Sequence, residues 1–403
     1  MKHPFRWLLG GQAISALGSQ VTFMALPLIA VTLLDSNPLH MGILGALDNL
    51  PYLLFGLFVG SLVDRRRRRP LMIASDLLRA LAVLTIPVAF LVGGITFTHL
   101  CLVAFAVGLG NLVFDVACQA QMPDIVGEDG DLVQANGALQ TTSGIASLTA
   151  PGLVGVFIAT VGAPLAMLID AFSYLISAAS LRMIGPDSST ATADATVWED
   201  VKTGVGSVVR DNRLLGLTGA GAAVSLGMNA AFSVLMVFLA RELHVSTIGI
   251  GLVFLAIALL GATGALTANL LAKAVGAGRV LLCGPVVAAV GLVCMALAGQ
   301  VTTPLLLIYL GAGLCGWGIM TSQALAAGLR QAFAPEEIRG RVLGTMRFVE
   351  WGIMPVGALL GGFAGQLLGV APAVAFSGAL VATGSVWVLT TGLARLHLSL
   401  IHI

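Results

Sequence analysis

Runs of about twenty or more apolar residues recur along almost the whole chain, parted by a few polar residues, and few folds accommodate that pattern. The hydrocarbon core of a bilayer is about 30 Å thick, so a helix crossing it needs about 20 such residues. Twelve runs qualify, at 8–34, 41–63, 71–93, 99–122, 135–160, 164–184, 213–240, 247–272, 279–300, 304–329, 341–367 and 372–395. Joints as short as 35–40 and 94–98 force neighbouring runs to be antiparallel. Composition agrees: 58% of residues are hydrophobic and 10% charged, where a soluble domain is nearer half apolar and a quarter charged. Many of the 50 glycines fall inside the runs, where membrane helices use them for close backbone approach. The expectation is an all-α membrane protein of twelve transmembrane helices.

Charge sets the expected orientation. Arg65 to Arg69 form an unbroken run of arginines followed by Pro70. Taken alone, such a run matches a nuclear-localisation or nucleic-acid patch; between two apolar runs it is a short loop, and no nucleic-acid partner is expected. With the N-terminus in the cytoplasm, seventeen lysines and arginines fall in inner loops and tails, Arg330 and Arg341 among them. Only Arg241 falls outside, and Arg79 and Arg347 lie within spans. Lys and Arg concentrate on the cytoplasmic side of membrane proteins, so both termini are expected there, in the plasma (bacterial inner) membrane.

The longest polar stretch, 185–212, starts as an Ala-, Thr- and Asp-rich linker. From Trp198 its apolar residues recur at Val201, Val205 and Val208, the spacing of a short amphipathic helix on the inner surface. It separates an N-terminal bundle of six spans (1–184) from a C-terminal one (213–403), and the two echo each other. Pro123-Asp124-Ile125 precedes a span containing Ala150 to Gly155; Pro335-Glu336-Glu337-Ile338 precedes one containing Met354 to Gly357 with Gly361 and Gly362. Two pseudo-symmetric six-helix bundles with a site near the membrane midplane are a known transporter architecture.

Gly60, Asp64, Arg65, Arg68 and Arg69 resemble the loop motif between spans two and three of the major facilitator superfamily, which usually has glycine at the place of Arg67. Gly18 to Thr22, Ala25 to Leu28, Leu50 to Gly56, Ala74 to Ala80, Phe114 to Ala117, Gly340 to Val342 and Met346 to Phe348 are similar to the branch with macrolide-efflux proteins and enterobactin-type siderophore exporters. The resemblance implies membrane export without naming a substrate. Many members carry an acid beside the position of Ser19, and none is present here. Gly144, Pro151, Gly152 and Gly155 keep part of the span-five antiporter motif, with Pro355, Gly361 and Gly362 as the corresponding packing motif of span eleven.

An ionisable residue inside a span is expensive and marks a functional candidate. Asp48 in span two and Glu350 in span eleven are the candidates for protonation. Asp48 is either a proton- or substrate-coupling group, or an acid near enough to the outer surface to be hydrated. Arg347 and Glu350 stand three apart, so they share a helix face, as a neutralised structural pair or as a proton-sensitive contact with the cavity. Asp64, Arg68, Asp76, Arg79 and Asp115, with Gly60, are expected to form one charged cluster that gates the cytoplasmic side. Asp170, near the outer end of span six, is expected to meet water or headgroups.

No Gly-x-x-x-x-Gly-Lys-Ser/Thr phosphate loop is present, and the six histidines and five cysteines have no metal-site spacing. The expectation is no enzyme, no cofactor and no metal. It is a monomeric secondary transporter that exports amphipathic small molecules (drug, siderophore or other metabolite) by proton antiport. A carrier of lipid-like molecules or an uptake permease on the same fold, and a non-transporting receptor or scaffold, are the alternatives.

Overall fold

The computed structural model describes residues 3–126, 131–184 and 197–395. Among them fourteen α-helices follow one another: α1 (His3–Thr32), α2 (Pro38–Arg65), α3 (Arg68–Leu91), α4 (Phe97–Val126), α5 (Leu132–Val161), α6 (Ala163–Arg182), α7 (Val197–Arg210), α8 (Asn212–Val237), α9 (Thr247–Val275), α10 (Ala277–Ala296), α11 (Pro304–Phe333), α12 (Arg339–Gly352), α13 (Met354–Leu368) and α14 (Val370–Thr390). Among the described residues eleven segments are long and apolar enough to cross a membrane, Glu336–Leu368 counted as one. The remaining expected span coincides with α2, a helix of 28 residues. The helix count is thus close to the twelve expected.

Span eleven is not one helix. It divides at Ile353, and Pro355 falls at the start of α13. Proline has no N–H and its ring crowds the carbonyl four residues back, so the helix restarts there. The helix expected from Trp198 is α7; the linker before it, 185–196, lies outside the described residues.

Three joints are a single glycine. Gly162 joins α5 to α6, Gly276 joins α9 to α10, and Gly369 joins α13 to α14, at φ of 86°, 98° and 91°. A side chain is disfavoured in that region, so one residue reverses the chain only because it is glycine. The arginine-rich joint works differently. The turn from α2 to α3 is Arg66 and Arg67, with Arg67 at φ −63° and ψ 122°, an extended conformation open to any residue. Arginine in place of the family's glycine therefore imposes no strain. Arg68, Arg69 and Pro70 already belong to the first turn of α3.

By contact the chain divides into two units. The first holds α1, α2 from Leu47, α3 to α6 and Ser246–Gly251; the second holds Asn37–Ala46, α7, α8, the rest of α9 and α10 to α14. Their internal pairings repeat. In the first unit α1 packs on α6 and α5, and α3 on α6 and α4; in the second, α8 packs on α14 and α13, and α10 on α14 and α11. That correspondence is the pseudo-symmetry of two six-span bundles.

The α1–α6 seam shows what holds such helices together. Gly11, Ser15, Gly18 and Thr22 recur at helical spacing along α1, facing Asp170, Ser173, Ser177 and Ser180 on α6. A Cβ at Gly18 would meet the Ser173 hydroxyl and come within 2.8 Å of Asp170 Oδ1. Lipid provides no hydrophobic drive between helices, so small residues and polar contacts do the work. Large apolar side chains such as Phe58, Leu91, Leu153 and Leu266 stand exposed instead, as a lipid-facing surface requires.

Candidate functional site

Among the described residues, a buried charged network can be traced in each unit. In the first, Arg79 of α3 is 5% exposed. It is paired to Asp76 one turn back and donates to Asn111 Oδ1 of α4 at 2.7 Å. Its guanidinium lies between two rings, 4.7 Å from the centroid of Phe114 and 4.4 Å from that of Tyr174. A flat, weakly hydrated cation suits that slot. Asp115 accepts from the Tyr52 hydroxyl at 3.1 Å, and Asp115 and Asp170 both lie within the field of Arg79.

Asp170 is the clearest correction in this half. It is 0% exposed, enclosed by helix packing and not at the surface. The Thr22 hydroxyl donates to its Oδ2, and Ser173 Oγ lies 3.0 Å from its Oδ1. Beside it Tyr174 shares a 3.0 Å hydroxyl contact with Ser19. The charge is tolerated inside the helix packing because it is hydrogen-bonded there.

The expected single gate cluster separates in two. Asp76, Arg79 and Asp115 belong to the buried network just described. Arg68, at the surface, donates to the carbonyl of Ala120 at 2.8 Å and pairs with Asp124 at 3.2 Å. Arg69 donates to the carbonyls of Leu181 and Arg182, two of the acceptors that the end of α6 leaves open. The side chain of Asp64 lies outside the described residues, and a Cβ at Gly60 would meet nothing within 4 Å. Asp48, ten residues into α2, has no ion-pair partner among the described residues; its carbonyl sits against Gly108 of α4.

In the second unit Glu350 of α12 is buried, and its ion-pair partner is Arg330 rather than Arg347. Arg330 NH2 lies 2.6 Å from Oε1 and NH1 donates to Oε2 at 3.1 Å, a charge-assisted contact of the stronger kind. Gln323 Oε1 lies 3.4 Å from the same guanidinium. The backbone of α8 comes close at Gly221, where a Cβ would collide with Glu350 Oε1. Arg347 is exposed, with its guanidinium 5.4 Å from the ring centroid of Trp351. Arg347 shares a face with Glu350 and adds its field there, while the carboxylate turns inward to pair with Arg330 of α11. Arg330, assigned to a loop in the charge count, is part of α11. The missed signal was the continuation of the helix through Leu329 to Phe333.

The glycine motifs also divide. Gly155 packs against Gly251, and Gly362 against Gly42, with Cβ-to-Cα approaches of 3.1 and 2.7 Å; Gly361 lies against the Ala230 carbonyl. Pro151 and Pro355 are buried, and Gly152 is partly buried. Gly144 departs from the packing expectation, since a Cβ there would meet nothing within 4 Å.

The sequence-family model "Major Facilitator Superfamily" matches residues 8–226 and 217–397. The multidrug efflux pump Tap of Mycolicibacterium fortuitum is 25% identical over 373 residues, covering 89% of this chain and 88% of that protein. Macrolide efflux protein A of Streptococcus pyogenes is 28% identical over 185 residues, 45% of each chain. Among solved structures, a bacterial homologue of the iron transporter ferroportin in its inward-facing state superimposes with a TM-score of 0.77 at 19% identity, covering 97% of this chain and 99% of the other.

Proposed function

Because the chain belongs to the major facilitator superfamily, a family of membrane transporters, we propose that it is a secondary active exporter of amphipathic small molecules of the multidrug or macrolide type. The observation that carries this reading is the likeness to an efflux pump along nearly the full length of both chains. The role is transport, not catalysis, and the protein works as a monomer with both termini in the cytoplasm. Its halves, 1–184 and 213–403, work by alternating access.

The driving force in this reading is the proton gradient. A carboxylate held away from water carries a charge at high cost, and protonation removes that cost. Asp48 in one half and Glu350 in the other are the proposed protonation sites. The pairing of Glu350 with Arg330 supports a switch: protonating the acid weakens the ion pair and frees the guanidinium for Gln323 or for an anionic group. Arg347, beside Trp351, is the proposed contact for the ligand. Asp64, Arg68, Asp76, Arg79 and Asp115 are proposed to govern the cytoplasmic gate.

The test uses inverted membrane vesicles, a fluorescent amphipathic cation such as ethidium, and an imposed pH gradient. The native chain is expected to accumulate ethidium inside the vesicles only while the interior is acidic. Asp48→Asn and Glu350→Gln are expected each to uncouple uptake from the gradient. If both variants keep full gradient-driven accumulation, neither acid carries the coupling proton.

A further inference from the structure

The second unit has a feature that the proposed transport cycle does not use. Between α7, α8, α12 and α14 runs a fissure of about 390 Å³. Its walls include Val205 and Val209 of α7, Leu215 and Leu226 of α8, Val349 of α12 and Trp387 of α14. Among the described residues no charged one lines it. The Trp387 ring lies directly on the α8 backbone, which has no side chain to oppose it at Gly219.

Two dimensions of the fissure match a lipid. Leu215 and Leu226 are eleven residues apart on α8, about 16 Å of helix rise, and one leaflet supplies about 15 Å of hydrocarbon depth. Among the described residues two cations, Lys202 and Arg341, begin the stripes that lead to the fissure. α7 crosses α12 so closely that a Cβ at Gly204 would stand 2.7 Å from the Arg341 carbonyl. Arg341 begins the stripe Arg341, Thr345, Val349 that leads into the fissure. Lys202 begins the corresponding stripe Lys202, Val205, Val209 on α7. Both cations are exposed, and a long basic side chain can cover apolar surface while its charge stays in water.

We propose that this fissure is a binding site for one anionic phospholipid. One acyl chain lies along α8 under Trp387, and the phosphate is held by Lys202 and Arg341. An amphipathic surface helix closes one side of the site, which sets it apart from the open lipid-facing surface of the other spans. The end carrying the charges identifies the leaflet: under the proposed orientation it is the cytoplasmic one, whose anionic lipids attract basic residues near the membrane. Binding itself depends neither on that orientation nor on the direction of transport.

The test is native mass spectrometry of the full chain in detergent, titrated with phosphatidylglycerol or with phosphatidylcholine of the same acyl chains. One phosphatidylglycerol is expected to be retained at least about tenfold more tightly than phosphatidylcholine. Lys202→Gln and Arg341→Gln are each expected to reduce that preference about fivefold. Val349→Trp fills the fissure and is expected to abolish retention of both lipids. Val205→Trp is the second filler should the first fail to fold, and Leu306→Trp, at an exposed site on α11, is the control. Equal retention of the two lipids overturns the proposal, as does phosphatidylglycerol binding that survives both fillers. Fillers that spare lipid but abolish ethidium binding would make the fissure a solute site instead, and so also overturn it.

Discussion

Arg330 and Glu350 illustrate the difference between removing a buried ion pair and breaking one. Arg330→Met leaves the carboxylate uncompensated among α8, α11 and α12, and is expected to lower stability by about 3–5 kcal/mol. Replacing both partners, Arg330→Met with Glu350→Leu, is expected to recover most of that loss, because neither charge remains to be neutralised. Thermal unfolding in detergent reads both, and a double variant as unstable as the single one would refute the account. A second case is Thr22, whose hydroxyl donates to Asp170. Thr22→Val keeps the shape and removes the donor, at an expected cost of about 1–3 kcal/mol; an unchanged unfolding midpoint would show that Asp170 does not depend on it. These residues also show what a linear reading can reach. Asp48, Arg79, Asp115 and Glu350 stand out within apolar runs because a charge there is expensive. Their partners do not stand out: Thr22 is 148 positions from Asp170, and Glu350 pairs with a residue 20 positions away, where helix spacing pointed only to Arg347. Burial decides partner choice, and the packing of three helices decides burial.

Helix seams and joints can be tested by changing one atom at a time. Gly18→Ala places a methyl against Ser173 and Asp170, so α1 and α6 must separate; a cost of about 1–3 kcal/mol is expected, as for other overpacked contacts. Gly144→Ala is the control from the same class of motif residue, and with nothing within 4 Å it is expected to alter stability by no more than about 1 kcal/mol. Equal effects in the two variants would show that the glycine spacing, not the local gap, governs tolerance. Asp211 caps α8, accepting from the Arg213 backbone N–H at 2.8 Å and from its side chain. Partial burial pushes its carboxyl up, but these hydrogen bonds outweigh that and hold it below the usual carboxylate range. Asp211→Ala is expected to cost about 1 kcal/mol. Because the folded-state value is depressed, the cap's contribution is complete above the ordinary carboxylate range and is lost as pH falls through the lower folded value. The difference between native and variant unfolding midpoints is therefore expected to shrink on acidification. Helix positions were legible because the lipid core imposes a length on every apolar run. The break at Ile353 was not read, although Pro355 was visible, because proline is also common inside intact membrane helices, as Pro27 and Pro51 are here.

The run of five arginines joins local structure to the placement of the chain in the membrane. Arg65, Arg66 and Arg67 are exposed, and the role expected of them is to add positive charge to one side of the bilayer. Arg68 and Arg69 also tie the start of α3 to α4 and α6, through the Ala120, Leu181 and Arg182 carbonyls and Asp124. The two groups are therefore expected to respond differently. Neutralising the first three to serine is expected to leave thermal stability within about 0.5 kcal/mol. Arg68→Gln and Arg69→Gln are each expected to cost about 1.5–3 kcal/mol, the range for hydrogen bonds made by charged groups. Orientation depends on the sum of Lys and Arg near the spans, not on one bond. A C-terminal fluorescent-protein fusion is therefore expected to stay folded and bright in the cytoplasm in the native chain and in the triple-serine variant, since fourteen of the seventeen assigned positive charges remain. A phosphatase fusion active at the same position would place the C-terminus outside, and with it reverse the leaflet assigned to α7 and every inner loop. Loss of stability on neutralising Arg65 to Arg67, with orientation intact, would instead show that the whole run is structural.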